Sequence, residues 1–277
     1  MSPADLVAAL RAAGCVFAED EAALLLADGR PLADLVARRV AGEPLEQVLG
    51  WVAFCGRRVL LDPGVFVPRQ RTALLVEQAV ALGGRVVVDL CCGSGAVGLA
   101  VADGLGRDGT GDVGTGDVGT GDNGTGDVGT GLDGLEDVHL VAADVDPVAV
   151  ACARRNGVTA VVGDLYGPLP AQLRGRVDLL CVNAPYVPTD DVAGLPPEAR
   201  DHEPVAALDG GRDGLDLHRR VAAGAGEWLA PGGSVLLETS RVQAAGTLAA
   251  VAAGGLVARV VTDDDRGATV VVGTRPA

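Results

Sequence analysis

Four short runs of mainly aliphatic residues, each closed by a polar side chain, constrain this 277-residue chain more than any other feature. They are Arg85–Leu90 with Asp89 near its end, His139–Asp144, Thr159–Asp164, and Val177–Val182 followed by Asn183. A continuous apolar run predicts a strand covered on both faces, as in a parallel sheet, rather than the alternation of a sheet with one wet side. Helical patterns separate the runs: Ala73–Leu82, Ala96–Ala102, and Val148–Arg155 behind an Asp146-Pro147 cap. After a Pro-rich connection come a helix over Leu215–Leu229, a fifth strand Ser234–Glu238, a helix over Val242–Ala253, and a closing antiparallel pair, Leu256–Val261 with Ala268–Gly273. This alternation predicts an α/β doubly wound sheet. In such a sheet the carboxyl ends of the strands form one ligand crevice, so Asp89, Asp144, Asp164 and Asn183 are expected along a single edge.

The turn Cys91-Cys92-Gly93-Ser94-Gly95 joins the first of these strands to its helix. Glycines there admit a ligand close to the backbone, and the helix N-terminus offers free N–H groups and a partial positive charge. Gly93 to Gly98 spells G-x-G-x-x-G, which by itself is weak evidence for a dinucleotide site. Asp144 is placed to accept from a ribose diol and Asp164 from an adenine amino group. Either acid alone is equally explained as a helix cap or turn residue. A nicotinamide enzyme would need a hydride-transfer site, and none of the three histidines stands at a strand end.

Asn183-Ala184-Pro185-Tyr186 is an unusual end for a buried strand. The Asn side-chain oxygen and the Ala184 carbonyl can accept the two hydrogens of a planar NH2 group, with the Tyr186 ring against its plane. Pro185 stiffens the turn and withholds a competing N–H. An Asx-turn closed by proline would use the same residues with no ligand.

The formal net charge of −15 opposes a phosphate backbone and argues against general nucleic-acid binding. The six cysteines form no CxxC pair and have no histidine at ligand spacing, which predicts reduced core thiols in a cytoplasmic protein and no metal site. No run approaches the about 20 apolar residues of a membrane span, and the first residues, with Asp5 among them, lack the basic and apolar segments of an export signal.

Three short amphipathic helices are expected within residues 1–50, the first opened by Ser2-Pro3 and closed by Gly14. Residues 51–72 change character, with a β-hairpin turning near Gly56 and a second turn at Asp62-Pro63-Gly64. The chain therefore divides into a small helical domain over 1–50, a hairpin linker over 51–72 and a large domain over 73–277. Within the last, Gly109–Gly131 is a low-complexity Gly-Thr-Gly-Asp-Val array, a period that fits neither helix nor strand. It predicts a disordered acidic insertion over 106–131 on the sheet edge opposite the crevice; a calcium-binding Asp array is the alternative.

From about Pro44 to Arg275 the residues resemble the release-factor glutamine methyltransferases, a family of seven-stranded, Rossmann-like, S-adenosylmethionine-dependent enzymes. The resemblance is carried by Asp62 to Val65, Pro68-Arg69, Asp89 to Gly95, Asp144 with Asp146-Pro147, Asn183 to Tyr186, Glu203-Pro204, Ala207 to Gly211, and Gly214 to Asp216. It implies S-adenosyl-L-methionine as cofactor, contacted by Asp89, Cys91, Gly93, Gly95, Asp144, Val145, Asp164, Leu165 and Asn183. It implies catalysis by Asn183, Ala184, Pro185 and Tyr186 on an exposed glutamine amide of a protein partner, a release factor or another translation protein, recognised through the helical domain. Adenine and cytosine amino methyltransferases share the Asn-Pro-Pro-Tyr tetrad, and a module that binds the cofactor without turnover has the same crevice. The chain departs from the family pattern at Ala184, where the tetrad has Pro, at Cys91, where the loop has Gly, and at Gln70-Arg71, where the family has a Pro-acid pair. The last change is expected to invert a charge beside the substrate entry.

Overall fold

A computed structural model describes residues 1–106 and 138–277. The Gly109–Gly131 array, and with it the expected 106–131 insertion apart from Gly106, lies outside the described residues.

Four helices come first: α1 (Pro3–Ala12), α2 (Ala18–Ala27), α3 (Leu32–Val40) and α4 (Leu45–Leu49). A reciprocal cap opens α1, with Asp5 N donating to Ser2 Oγ and Ser2 N donating to Asp5 Oδ2, each at 3.2 Å. The helices bury Leu6, Leu10, Leu25, Leu35 and Val48 against one another. The sequence gives no sign of α4, because five residues are too few to show a helical period; Gly50, at φ 75°, closes it in the left-handed region. The expected hairpin follows as β1 (Trp51–Phe54) and β2 (Arg57–Leu60), antiparallel with Trp51 opposite Leu60.

Helix α5 (Ala73–Leu82) leads into β3 (Val86–Leu90), α6 (Ala96–Gly106), β4 (His139–Asp144), α7 (Pro147–Arg155), β5 (Thr159–Val162) and β6 (Val177–Val182). Then come α8 (Pro197–His202), α9 (Asp216–Trp228), β7 (Leu229–Glu238), α10 (Ala244–Ala253), β8 (Val257–Asp263) and β9 (Ala268–Thr274). The seven strands lie in the order β5-β4-β3-β6-β7-β9-β8. β5, β4, β3, β6 and β7 are parallel, and β9 runs antiparallel to both its neighbours. The apolar runs are continuous because helices cover both faces. One face packs Val88, Leu90, Leu180 and Leu237 toward α9 and α10, and the other packs Val87, Leu179 and Leu236 toward α5 and α6.

Two sequence expectations shift. β5 stops at Val162, two residues before Asp164, because Gly163 turns away and donates its N–H to the Asp144 carbonyl at 2.9 Å. Asp89 is the penultimate residue of β3, so the strand's alternation directs its side chain into the sheet face under α6. Between β3 and β6 the connections diverge, to β4 and β5 on one side and to β7 on the other, and this switch point sets the site. The hairpin is tied to it by Asn156 at the end of α7. That side chain accepts from Leu60 N at 2.8 Å and donates to the carbonyls of Leu60 at 2.9 Å and Ser94 at 3.0 Å. Among the described residues no helix is long and apolar enough to cross a membrane.

Candidate active site

A cavity of about 440 Å3 opens at the switch point, a size suited to a cofactor together with one side chain of a partner. Cys91, Gly93, Asp144, Val145, Asp164, Leu165, Asn183, Ala184, Pro185 and Tyr186 all stand on its wall. Asp89 and Gly95, expected there from the sequence, do not. Asp89 is 1% exposed and accepts the Gly98 N–H at 2.8 Å, satisfying one of the donors that the first turn of α6 leaves open. Gly95 packs behind the turn, where an added Cβ would meet Val158 at 2.8 Å. Both residues shape the crevice from underneath.

The loop between β3 and α6 is drawn taut by Asp144. Its Oδ2 accepts from Gly93 N and its Oδ1 from Asp146 N, each at 2.9 Å. Cys91 holds φ 56°, a conformation that suits glycine, so this position carries backbone strain at the cavity edge. Burial pushes the Asp144 carboxyl above its ordinary range against those two bonds, and pushes Asp89 up to about 8. Asp164 is exposed, and its carboxylate is held by Arg220 Nη2 at 2.5 Å. Ser94 and Thr72 stand at the cavity wall, each 1% exposed, with their hydroxyl oxygens buried and without a hydrogen-bond partner among the described residues. Nothing in the sequence distinguished these two hydroxyls from core packing.

At the end of β6 the side chain of Asn183 lies half-buried on the wall, and no protein group among the described residues bonds to it. Among the described residues the Ala184 carbonyl likewise receives no protein donor, although Ala184 itself is 1% exposed. The asparagine oxygen is open to a planar NH2 group, whereas an Asx-turn would have consumed it.

The chain after Tyr186 is clasped by a segment far along the sequence. Val187 N donates to the Leu208 carbonyl at 3.0 Å, and Gly210 N to the Val187 carbonyl at 2.8 Å. The Asp209 carboxylate accepts from Thr189 Oγ1 at 2.8 Å and from Gly211 N at 2.9 Å. Gly210 is required because a Cβ there would sit 2.7 Å from the Pro185 carbonyl oxygen and the Tyr186 Cα. At Gly214 the corresponding distance to the Tyr186 carbonyl oxygen is 2.2 Å. The Ala207 to Gly214 stretch is therefore the mould in which the Asn183–Tyr186 turn is cast.

Tyr186 is itself held. Arg71 Nη2 donates to its hydroxyl at 2.9 Å, and the hydroxyl donates to Glu238 Oε1 at 3.1 Å. Arg71 Nε also donates to Glu238 Oε1, at 3.2 Å. Burial first and the nearby Glu238 carboxylate second raise the Tyr186 phenol to about 12, so it stays protonated near neutrality. Arg71, expected from the sequence to invert a charge beside the substrate entry, stands on the cavity wall with its side chain 43% exposed and is paired with Glu238. Glu238, buried at the end of β7, closes its strand on an acid as Asp144 closes β4, the signal by which the sequence marks it. Behind Tyr186 stands His218, its ring 6.3 Å away and its Nδ1 2.9 Å from Thr247 Oγ1. Burial lowers this imidazole to about 4, which leaves it neutral.

The segment from Val187 to Leu208 covers one side of the cavity. Glu203 fixes it by accepting from Val67 N at 3.1 Å and from Arg69 Nη2 at 2.6 Å. Glu198 pairs at 2.6 Å with Arg39 of α3, a buried guanidinium that also bonds Glu21 of α2.

No family model matches the chain. Curated relatives do. It is 35% identical over 249 residues to the release factor glutamine methyltransferase of Geobacter sulfurreducens, covering 87% of this chain and 76% of that protein. It is 35% identical over 220 residues to that of Streptomyces coelicolor, covering 76% of this chain and 67% of the relative. Among solved structures, a methyltransferase from Pyrococcus furiosus aligns with a TM-score of 0.54 at 14% identity, over 88% of this chain and all of the other, a likeness of fold.

Proposed function

The chain belongs to the release factor glutamine methyltransferase family, and from that premise we propose how its residues place a methyl group on the side-chain amide nitrogen of a release-factor glutamine. The observation that carries this reading is the Asn183 side chain, half-buried on the cavity wall and bonded by no protein group among the described residues, with the unclaimed Ala184 carbonyl next to it in the chain.

The cavity suits S-adenosylmethionine. Its volume and the acidic Asp144 on its wall fit a ligand that is polar, positively charged and carries a ribose. Asp144 with Val145, Asp164 with Leu165, and the Cys91–Gly93 turn would hold it. When bound, it would supply an electrophilic methyl group on a positively charged sulfur, whose bond to that methyl breaks as the new bond forms, the electron pair staying on sulfur as a neutral thioether.

An amide nitrogen is a poor nucleophile because its lone pair is delocalised into the carbonyl. Asn183 and Ala184 counter this by accepting both amide hydrogens, which raises electron density on nitrogen and fixes its direction of approach. Pro185 keeps the turn stiff and donates nothing. Tyr186 forms the wall beside the amide and limits water. Its phenol is too weak an acid to be deprotonated, so it does not act as a base. No base is needed before the carbon–nitrogen bond forms. The nitrogen then becomes strongly acidic, and one of the two gripped protons leaves to solvent, restoring a neutral methylamide.

We further infer that the α1–α4 region, joined to the cavity cover through Arg39 and Glu198, is where the release factor docks. The net charge of −15 makes direct nucleic-acid binding unfavourable, and the six free cysteines suit the reducing cytoplasm. The test is to incubate the protein with labelled S-adenosylmethionine and a release factor, then map the added mass. One methyl group on a glutamine side chain is expected. Methylation of another residue type, or of an oligonucleotide in preference to the protein, would overturn the assignment.

A further inference from the structure

We propose that Arg71 and Glu238 are positioning residues for methyl transfer, acting together on the Tyr186 hydroxyl so that its ring is held at one setting on the cavity wall. This rests on the function given above. Three hydrogen bonds close a triangle: Arg71 to the phenol at 2.9 Å, the phenol to Glu238 at 3.1 Å, and Arg71 to Glu238 at 3.2 Å. Its corners come from three parts of the chain, the segment before α5, the turn after β6 and the end of β7. A tyrosine ring on a turn is free to pivot about its side-chain torsions, and a hydroxyl that both accepts and donates removes that freedom. The backbone beneath the ring is fixed as well, since Gln243 Nε2 donates to the Tyr186 carbonyl at 2.8 Å. His218, 6.3 Å behind, limits retreat.

Glu238 is the informative member. Its side chain is 3% exposed, and its second oxygen, Oε2, is buried with no partner among the described residues. Burying a carboxylate with one oxygen unmet is unfavourable, and a core without it would be the simpler structure. What the molecule gains is an acceptor at the one point that the Tyr186 hydroxyl reaches. Arg71 completes the arrangement.

The test uses the full chain carrying fluorotyrosine. It has only two tyrosines, so Tyr166, whose hydroxyl donates to the Val221 carbonyl at 2.7 Å on another part of the molecule, is an internal reference. In Arg71→Met and Glu238→Ala the Tyr186 fluorine signal should shift or broaden while that of Tyr166 stays. The kcat should fall about tenfold, with KM for S-adenosylmethionine within about twofold. Glu238→Gln, which keeps an acceptor oxygen, should recover most of the loss. Tyr186→Phe should lose as much alone, and adding Arg71→Met to it should cost little more, because the two act through one hydroxyl. An unchanged kcat despite a displaced Tyr186 signal would overturn the proposal, as would an undiminished effect of Arg71→Met in the Tyr186→Phe background. If Glu238→Ala also moves the Tyr166 signal, the fold is damaged, and Glu238→Gln with Arg71→Met decides by the same criteria. Failure of the wild-type protein to methylate a release factor would instead remove the functional premise, while the fluorine spectra still reported on the clamp.

Discussion

Replacing Asp89 by Asn should remove a pH-dependent weakness from the fold. Asp89 is 1% exposed, and its carboxyl is pushed up to about 8, first by burial and further by the Asp144 charge, with the Gly98 N–H opposing. In the unfolded chain the same group ionises near its ordinary value of 3.8. Below that pH it is protonated in both states, and its favourable contribution to folding is complete. Between about 4 and 8 the folded state keeps a proton that the unfolded state has released, so stability falls as pH rises. Above about 8 both states are ionised and no further change comes from this group. At about 1.4 kcal/mol per pH unit, a window of that width gives on the order of 5 kcal/mol, an upper figure because local relaxation and water entry reduce it. Asparagine keeps the oxygen that accepts from Gly98 and does not titrate. Urea unfolding of both proteins at pH 5 and pH 8 measures the effect, and taking the difference cancels every group the two share. Relative to wild type, Asp89→Asn should gain several kcal/mol on going from pH 5 to pH 8. A difference that stayed constant across that range would show that Asp89 titrates normally, and the account of its burial under α6 would be wrong.

Asn183→Ala removes one of the two acceptors and should lower kcat by about 10²–10³, while S-adenosylmethionine affinity measured by calorimetry changes little; a collapse of that affinity would make Asn183 structural. Gly210→Ala forces a Cβ to within 2.7 Å of the Pro185 carbonyl oxygen, so the Asn183–Tyr186 turn must move. Activity should drop at least tenfold with helical content unchanged by circular dichroism. Replacing residues 106–131 with a short linker should leave turnover within about twofold in a steady-state assay. Gly106 ends α6, and His139 begins β4 opposite Val86, at the edge of the sheet away from the cavity.

The strands and helices of the sheet were legible because aliphatic runs and caps such as Asp146-Pro147 are local signals, and local signals survive without an alignment. Asp144 and Asn183 stand on the cavity wall because each sits at or just past the last paired residue of its strand. Asp89 misses the wall by a single position, since one step along a strand reverses the face. Asp164 reaches the wall although β5 has already ended, and its carboxylate is held by Arg220, a partner 56 residues away that no periodicity reveals. The partner of Arg71 gives no local signal because it lies on β7, 167 positions away. Glu238 closes β7 on an acid as Asp144 closes β4, which is a signal of the same local kind. The Ser94 and Thr72 hydroxyls gave no such clue, being ordinary small residues until the cavity wall is seen.

The Arg71–Glu238 bond joins residues 167 positions apart, and Asn183 lies between them in sequence. No fragment that stops short of β7 can possess the finished catalytic geometry, whatever secondary structure it forms. Contacts this distant are slow to organise because the intervening chain must first lose its freedom. During refolding, methylation competence should therefore return late, after the far-ultraviolet signal has recovered, and its rate should report the closing of the whole sheet.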